Sequence, residues 1–458
     1  MTKKALFQKE SMTVSPWPNR KYAWYIVGVL TIANTVSFID RQILSLLVEP
    51  IRESLGLSDT EISLLQGFAF VIFYSIMGIP IARLADSKNR KWVIIIGVTL
   101  WSAMTVACGL ARSYGMLFLA RMGVGVGEAS LSPSAHSMMS DYFPPEKLSL
   151  PMGVFVAGVT SGMGIALIAG AAVIDAIEAY GTITLQGIGP LQPWQSTFVI
   201  VGALGIVTVA LMLTVREPVR RGRLIRTGHT QPDSVPLKEV VAYFRANWKA
   251  YGAVFGGFTM TAVGAYGLAT WTPTFYIRSF GLSASEAGYM IGVSIVISGL
   301  LGSVFGGWLA DFLASRGDRY AKTRVMFIGG IILIPSGLIT PLMPSATLAV
   351  IGLGFTFFAG SMAAGPVASI AQEMTPNQMR AQASAIYLFL TNLIGLGLGP
   401  TAVALFTDYV FGDPMMIRYS LIAVVVVFNP IAAVLLRMSY KPYRATADQV
   451  HKYADKIP

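Results

Sequence analysis

Runs of about 20 residues without a single Asp, Glu, Lys or Arg recur along this 458-residue chain, and they decide what it can fold into. A helix rises about 1.5 Å per residue, so roughly 20 apolar residues cross the hydrocarbon core of a bilayer. Such runs occupy 22–39, 62–82, 92–111, 148–174, 196–215, 250–277, 287–310, 381–407 and 419–436. The run 325–372 is long enough for two helices, with Pro341 and Pro344 at the turn between them. Residues 114–140 make one further span, interrupted by Arg121 and Glu128. The reading is an all-α membrane protein of twelve spans. Only 12% of the residues are charged, about half the share of a soluble domain, which excludes an ordinary soluble enzyme.

The positions of Lys and Arg orient the spans. Of the 34, 28 fall in the two tails and the even-numbered loops, and four (Arg52, Arg112, Arg278 and Arg418) fall in the odd-numbered loops. That asymmetry predicts both termini and the 216–249 loop in the cytoplasm. The net charge of +11 is therefore read as orientation signals and contacts with anionic membrane lipids, not as nucleic-acid binding. Cys108 is the only cysteine and lies in an apolar span, so no disulfide or Cys-based metal site is expected. The absence of any Asn-x-Ser/Thr sequon fits a bacterial inner-membrane protein.

The chain also repeats itself. Leu84-Ala85-Asp86 follows the second span and Leu309-Ala310-Asp311 the eighth, each before a basic loop; Pro145-Glu146-Lys147 and Pro376-Asn377-Gln378 follow the fourth and tenth. This predicts a cytoplasmic tail over 1–21, a six-helix bundle over 22–215, a basic linker over 216–249, a second bundle over 250–437 and a cytoplasmic tail over 438–458. Two six-helix halves are the layout of a secondary transporter built from repeats.

The stretch Ala82-Arg-Leu-Ala-Asp86-Ser-Lys-Asn-Arg90-Lys91, echoed by Gly307-Trp-Leu-Ala-Asp311, resembles the loop signature of the major facilitator superfamily. Arg121-Met-Gly-Val-Gly125 is similar to its helix-4 arginine motif. Within the superfamily the run from Arg121 through Glu128 to Pro133 resembles the spinster family, as do Asp40-Arg41, Asp141-Tyr-Phe-Pro-Pro-Glu146-Lys147 and Trp194-x-x-x-Phe198. The resemblance implies the major facilitator fold, alternating access between two bundles, protons as coupling ion and a lysophospholipid, sphingolipid or similar amphiphile as substrate. A monomer without a cofactor is the expectation from that fold.

Four ionisable residues cluster in the spans: Asp40, Arg41, Arg121 and Glu128. Unpaired, they would cost on the order of 10 kcal/mol to insert. Arg121 and Glu128 are seven residues apart, two turns, and so share a helix face. Glu128 and Asp40 are the candidate proton carriers, with Asp40 held by Arg41 or Arg121; a freed arginine could grip an anionic headgroup through its bidentate fork. The plainer alternative is a charge network that only locks helix 1 to helix 4.

Helices 7 and 10 carry no charge in their spans but many aromatics, among them Tyr266, Trp271 and Phe358. A cavity charged on one wall and aromatic on the other suits an amphiphile. The expected substrate-binding set is thus Arg41, Arg121, Glu128, Tyr266, Trp271 and Phe358. Asp86, Arg90, Lys91 and Asp311 are read as a conformational latch rather than ligands. Gly123-x-Gly125-x-Gly127 lies in a span with no preceding strand and reads as helix packing, not a nucleotide loop. His136, the sole intramembrane histidine, is read as an interfacial polar residue with a proton relay as its alternative. No His/Asp/Glu arrangement has metal spacing, and a nucleophile with a base is lacking, so an enzyme is not expected. The alternative among transporters is a proton-coupled drug or organic-anion exporter of the same fold.

Overall fold

The computed structural model describes residues 17–144, 147–187, 189–220, 237–376 and 379–454. Pro145, Glu146, Asn377, Gln378 and the linker arginines Arg221, Arg223 and Arg226 lie outside the described residues, as does the side chain of Asp86.

Among the described residues ten helical segments are long and apolar enough to cross a bilayer. The spans are α1 (Arg20–Leu46), α3 with α4 (Asp59–Gln66, Phe68–Ser87), α5 (Arg90–Gly109), α6 with α7 (Tyr114–Glu128, Leu131–Tyr142), α8 (Ser149–Tyr180) and α9 (Pro193–Thr214). The second half repeats them as α11 (Trp248–Phe280), α12 (Ala284–Ser315), α13 (Ala321–Ile339), α14 with α15 (Ala346–Ser361, Ala364–Glu373), α16 with α17 (Arg380–Leu390, Gly397–Leu405) and α18 (Ile417–Met438). Shorter helices α2 (Val48–Leu55), α10 (Leu237–Ala246) and α19 (Tyr440–Ala454) lie outside the spans, and a small hairpin pairs Thr184–Leu185 with Gly189–Pro190. Twelve spans in two six-helix halves result. The first span starts at Arg20, and α10 and α19 make parts of the linker and the C-terminal tail helical.

The fourth and tenth spans are each broken in mid-membrane, and the cause is local. Proline lacks an N–H and its ring clashes with the carbonyl four residues back. Pro133 sets that conflict at Ala129, between α6 and α7, and Pro366 sets it at Met362, between α14 and α15. The twofold repeat is visible in the caps too. Gly56 and Gly281 both adopt the left-handed conformation, with φ of 66° and 67°. Each is followed by a Ser-x-x-Glu capping box, Ser58 with Glu61 and Ser283 with Glu286, which starts the next helix.

Span direction divides the molecule into a face carrying both tails and a distal face. The halves are joined at the distal end. Arg278, closing α11, donates to Glu49 at 2.7 Å and in bidentate fashion to Asp59 at 2.6 and 2.8 Å. Thr60 donates to Asp408 through its amide at 2.7 Å and its hydroxyl at 2.6 Å, and Tyr289 donates to Asp175 at 2.9 Å. Beneath these bonds α8 crosses α12 without side chains between them: a Cβ on Gly164 would stand 2.5 Å from the Gly292 carbonyl, and one on Gly292 2.6 Å from the Gly164 carbonyl. Gly67 likewise abuts the carbonyls of Leu396 and Gly397.

Asp59 is 1% exposed, and removing one partner of a buried ion pair costs about 3–5 kcal/mol. Arg278→Gln should therefore loosen the distal end. With Cys108→Ser as background, a Cys placed at the buried Ser63 should react with a membrane-impermeant maleimide at least about tenfold faster in Arg278→Gln. An unchanged rate would show that the ion cluster does not hold the halves together.

Candidate functional site

Between the halves lies a cavity of about 460 Å³, within the size range of small-molecule sites. Its walls differ in kind. The first half supplies Asn34, Arg41, Gln42, Tyr74 and Glu128 with the aromatic rings of Phe38 and Phe70. The second supplies Tyr266, Leu268, Ile295, Phe357, Leu388 and Leu396, with Asn392 and a few hydroxyls but no charged residue.

Arg41 and Glu128 form the polar centre. Glu128 ends α6 at the Pro133 break, and Arg41 donates to its Oε2 at 2.5 Å. The carboxylate side chain is 1% exposed and the arginine 20%, so a molecule in the cavity meets the guanidinium with the carboxylate behind it. Aromatic faces complete the setting. The guanidinium carbon lies 4.4 Å from the Phe70 ring centre, 5.0 Å from Phe38 and 5.5 Å from Tyr74, each close enough for cation–π attraction. Helical spacing makes this box, since Phe70 and Tyr74 are i,i+4 and Phe38 and Arg41 are i,i+3.

Asp40 and Arg121 lie behind that wall and do not reach the cavity. Both are 0% exposed. The Arg121 guanidinium donates to the Asp40 backbone carbonyl at 3.2 Å and to the Leu65 carbonyl at 3.4 Å, and lies 5.8 Å from the Phe70 ring centre. The Asp40 carboxylate oxygens have no hydrogen-bond partner. Arg41 thus pairs with Glu128 and not with Asp40, while the Arg121 charge acts on the Asp40 carboxylate without a hydrogen bond to it. Adjacent residues on a helix point about 100° apart, so Arg41 turns to the cavity and Asp40 to the interior of the bundle. The glycines permit the approach: a Cβ on Gly125 would stand 2.4 Å from the Phe70 carbonyl, and one on Gly127 2.6 Å from the Trp101 amide nitrogen.

Of the second-half aromatics, Tyr266 lines the cavity and two others do not. Trp271 is fully buried, and its indole N–H donates to the Pro400 carbonyl at 2.9 Å. Phe358 packs on Phe305, ring centres 5.5 Å apart, while its neighbour Phe357 faces the cavity. One step along a helix again separates the two environments.

The expected latch residues sit on the tail-bearing face. Arg90, 1% exposed, donates to Asp141 at 2.5 Å and to Glu217 at 2.8 Å, while the Lys91 amide donates to Glu217 at 3.0 Å and its ammonium to the Leu213 carbonyl at 2.7 Å. In this conformation these bonds tie α5, α7 and the start of the linker within the first half. Asp311 is exposed. His136 is exposed, with Nδ1 2.8 Å from the Ser132 carbonyl oxygen and its ring against Phe155.

The distal ion cluster is the main feature the sequence reading passed over. A signal was present in the internal repeat, where Asp59 matches Ala284 and Arg278 matches Glu53. Charges that depart from an otherwise matching loop mark a contact made once, between the halves. Among the described residues no group of three or more His, Cys, Asp or Glu could hold a metal ion.

A family model described as Major Facilitator Superfamily matches residues 30–400. An MFS-type efflux pump of Mycolicibacterium smegmatis is 31% identical over 85% of this chain and 86% of its own length. Protein spinster of Drosophila melanogaster is 26% identical, over 64% of this chain and 46% of the fly protein. A crystal structure of a bacterial homolog of the human lysosomal transporter spinster, inward-facing and unoccupied, aligns with a TM-score of 0.77 at 28% identity, covering 95% of this chain and 99% of that one. With its two six-helix halves around a central cavity, this chain belongs to the major facilitator superfamily, as a spinster-like secondary transporter of small molecules and not an enzyme.

Proposed function

We propose that the protein moves an amphiphilic, lipid-like molecule of the lysophospholipid or sphingolipid type by alternating access, coupled to protons carried on Glu128 and Asp40. The unequal cavity carries this reading: every charge that lines it belongs to the first half, and the second half offers an apolar face. A headgroup would meet Arg41 and a tail would lie along Leu268, Ile295, Phe357 and Leu388.

Arg41 works as a switch on this reading. While Glu128 is ionised it holds the guanidinium. A proton on Glu128 removes half of the ion pair, and the bidentate fork turns to a phosphate or carboxylate in the cavity. The aromatic box keeps the cation in place through the exchange. Asp40, buried without a partner, is the second proton position, since an unpaired buried carboxylate is costly in its charged form. With the tails in the cytoplasm of a bacterial cell, the closed distal end faces outward and the cavity is reached from within. Cycling requires the Arg278 cluster to open and the opposite ends of the bundles to meet. The same residues would serve a drug or organic-anion exporter, a reading favoured by the mycobacterial relative, an MFS-type efflux pump.

Two measurements test these statements. In proteoliposomes, a labelled lysophospholipid should move faster under an imposed pH gradient, and Glu128→Gln should abolish that acceleration. Gradient-independent transport by the wild type would remove the proton role, and movement of dyes or organic anions but not of lysolipid would move the substrate class to the exporter reading. Separately, Arg41→Met should destabilise the purified protein by about 3–5 kcal/mol, because it leaves the buried Glu128 carboxylate unmatched, and Glu128→Gln by less, because the guanidinium it frees faces the cavity within its aromatic box. The double variant should lose less than the sum, with a coupling of about 1–3 kcal/mol in thermal unfolding. Additive losses would show that the pair is not a unit.

A further inference from the structure

The wall that carries Arg41 holds two further polar side chains whose hydrogen bonding is incomplete. Asn34, Phe38, Arg41 and Gln42 all line the central cavity from α1. Counted from Asn34, the others follow at four, seven and eight residues, which keeps them on one side of the helix. Asn34 is 3% exposed and Gln42 9%. Neither the Asn34 Nδ2 nor the Gln42 Nε2 has a hydrogen-bond partner. Buried amides are ordinarily paired, so two orphaned ones in the wall of a cavity are groups kept for a molecule that enters it.

Helix geometry orders the three polar groups. The first span runs from the tail-bearing face to the distal face, and seven residues rise about 10 Å. Asn34 therefore lies on the open side of Arg41, and Gln42 lies next to Arg41 on the closed side. A phosphate held by the Arg41 fork has an amide on either flank.

The cavity is equally selective in what it withholds. Among the described residues that line it, Glu128 is the sole carboxylate, and its side chain is 1% exposed behind the Arg41 guanidinium. A cationic headgroup finds no free counter-charge there. The rings of Phe38, Phe70 and Tyr74 are of the kind that holds a quaternary ammonium. They lie 4.4–5.5 Å from the guanidinium carbon and so already face a cation. A trimethylammonium group also has neither donor nor acceptor, and it leaves both amides unpaired. A glycerol hydroxyl both donates and accepts, so it pairs with an amide whichever way that amide is turned.

Resting on the reading that the substrate is a lysolipid whose headgroup meets Arg41, we infer that the site selects an anionic headgroup rich in hydroxyls, of the phosphoglycerol type, over a zwitterionic one of the phosphocholine type. Asn34 and Gln42 are the residues that make the choice. Arg41 takes the phosphate, and the two amides take the hydroxyl and ester oxygens on either side of it. The accepted headgroup then carries a single negative charge, which matches one guanidinium released from Glu128.

The test measures equilibrium binding of radiolabelled lysophosphatidylglycerol and lysophosphatidylcholine with the same acyl chain. It uses the full-length protein in detergent micelles, with each lipid expressed as a mole fraction of detergent. Wild-type protein should bind the glycerol lipid at least about tenfold more tightly, because a site with unpaired buried polar groups discriminates against a ligand that cannot satisfy them. Asn34→Leu and Gln42→Met, which nearly keep side-chain volume, should each weaken binding of the glycerol lipid about threefold or more and leave the choline lipid within about twofold. Retained binding of the choline lipid also shows that a variant is folded. Equal affinity of the wild type for the two lipids, or a preference that neither variant reduces, overturns the inference while the lysolipid reading stands. Binding of an organic anion but of neither lysolipid overturns that reading and the inference with it.

Discussion

Arg41 is an arginine in the middle of a membrane protein, and much of the first bundle is arranged around making it tolerable. A guanidinium cannot be discharged at any ordinary pH, so it must be matched where it stands. Glu128 supplies the opposite charge and Phe38, Phe70 and Tyr74 supply the aromatic faces. For Glu128 to reach it, the fourth span must approach the second closely, and Gly125 under the Phe70 carbonyl allows that approach. Pro133 then ends α6 at the carboxylate. A residue costly to bury has its whole neighbourhood fitted to it, which is why the same residue is the natural place for a switch.

The other organising fact is a repeat that is followed closely and then broken where function needs asymmetry. The paired capping boxes, the paired left-handed glycines and the proline breaks all recur between halves. The charges do not. The central pair belongs to the first half alone. At the distal end the second half contributes Arg278 and the first contributes Glu49 and Asp59. Two equal halves would make each such bond twice, once on each side of their shared axis, whereas here each is made once, by residues that differ between the halves.

Much of this was legible from sequence. The twelve spans follow from run lengths, because the bilayer sets helix length and excludes unpaired charge. The four intramembrane charges were legible for the same reason. Their pairing was not: from spacing alone Asp40 looks as close to an arginine as Glu128 does, and only helix rotation sends Arg41 to the cavity and Asp40 into the bundle. The same 100° step divides Phe357 from Phe358. Trp271 is a further instance, since an aromatic in an uncharged helix can face a cavity or, as here, donate to a buried carbonyl.

By itself the sequence determined that the chain crosses a membrane twelve times, that it does so as two repeats, and that four ionisable groups had to be accommodated inside. These are consequences of composition and period, which act locally along the chain. The tertiary structure alone decided which carboxylate holds Arg41, which end of the molecule is closed, and which wall of the cavity is charged. Those outcomes depend on how helices far apart in sequence rotate and cross. A backbone contact such as Gly164 on Gly292 exists only once both bundles are assembled.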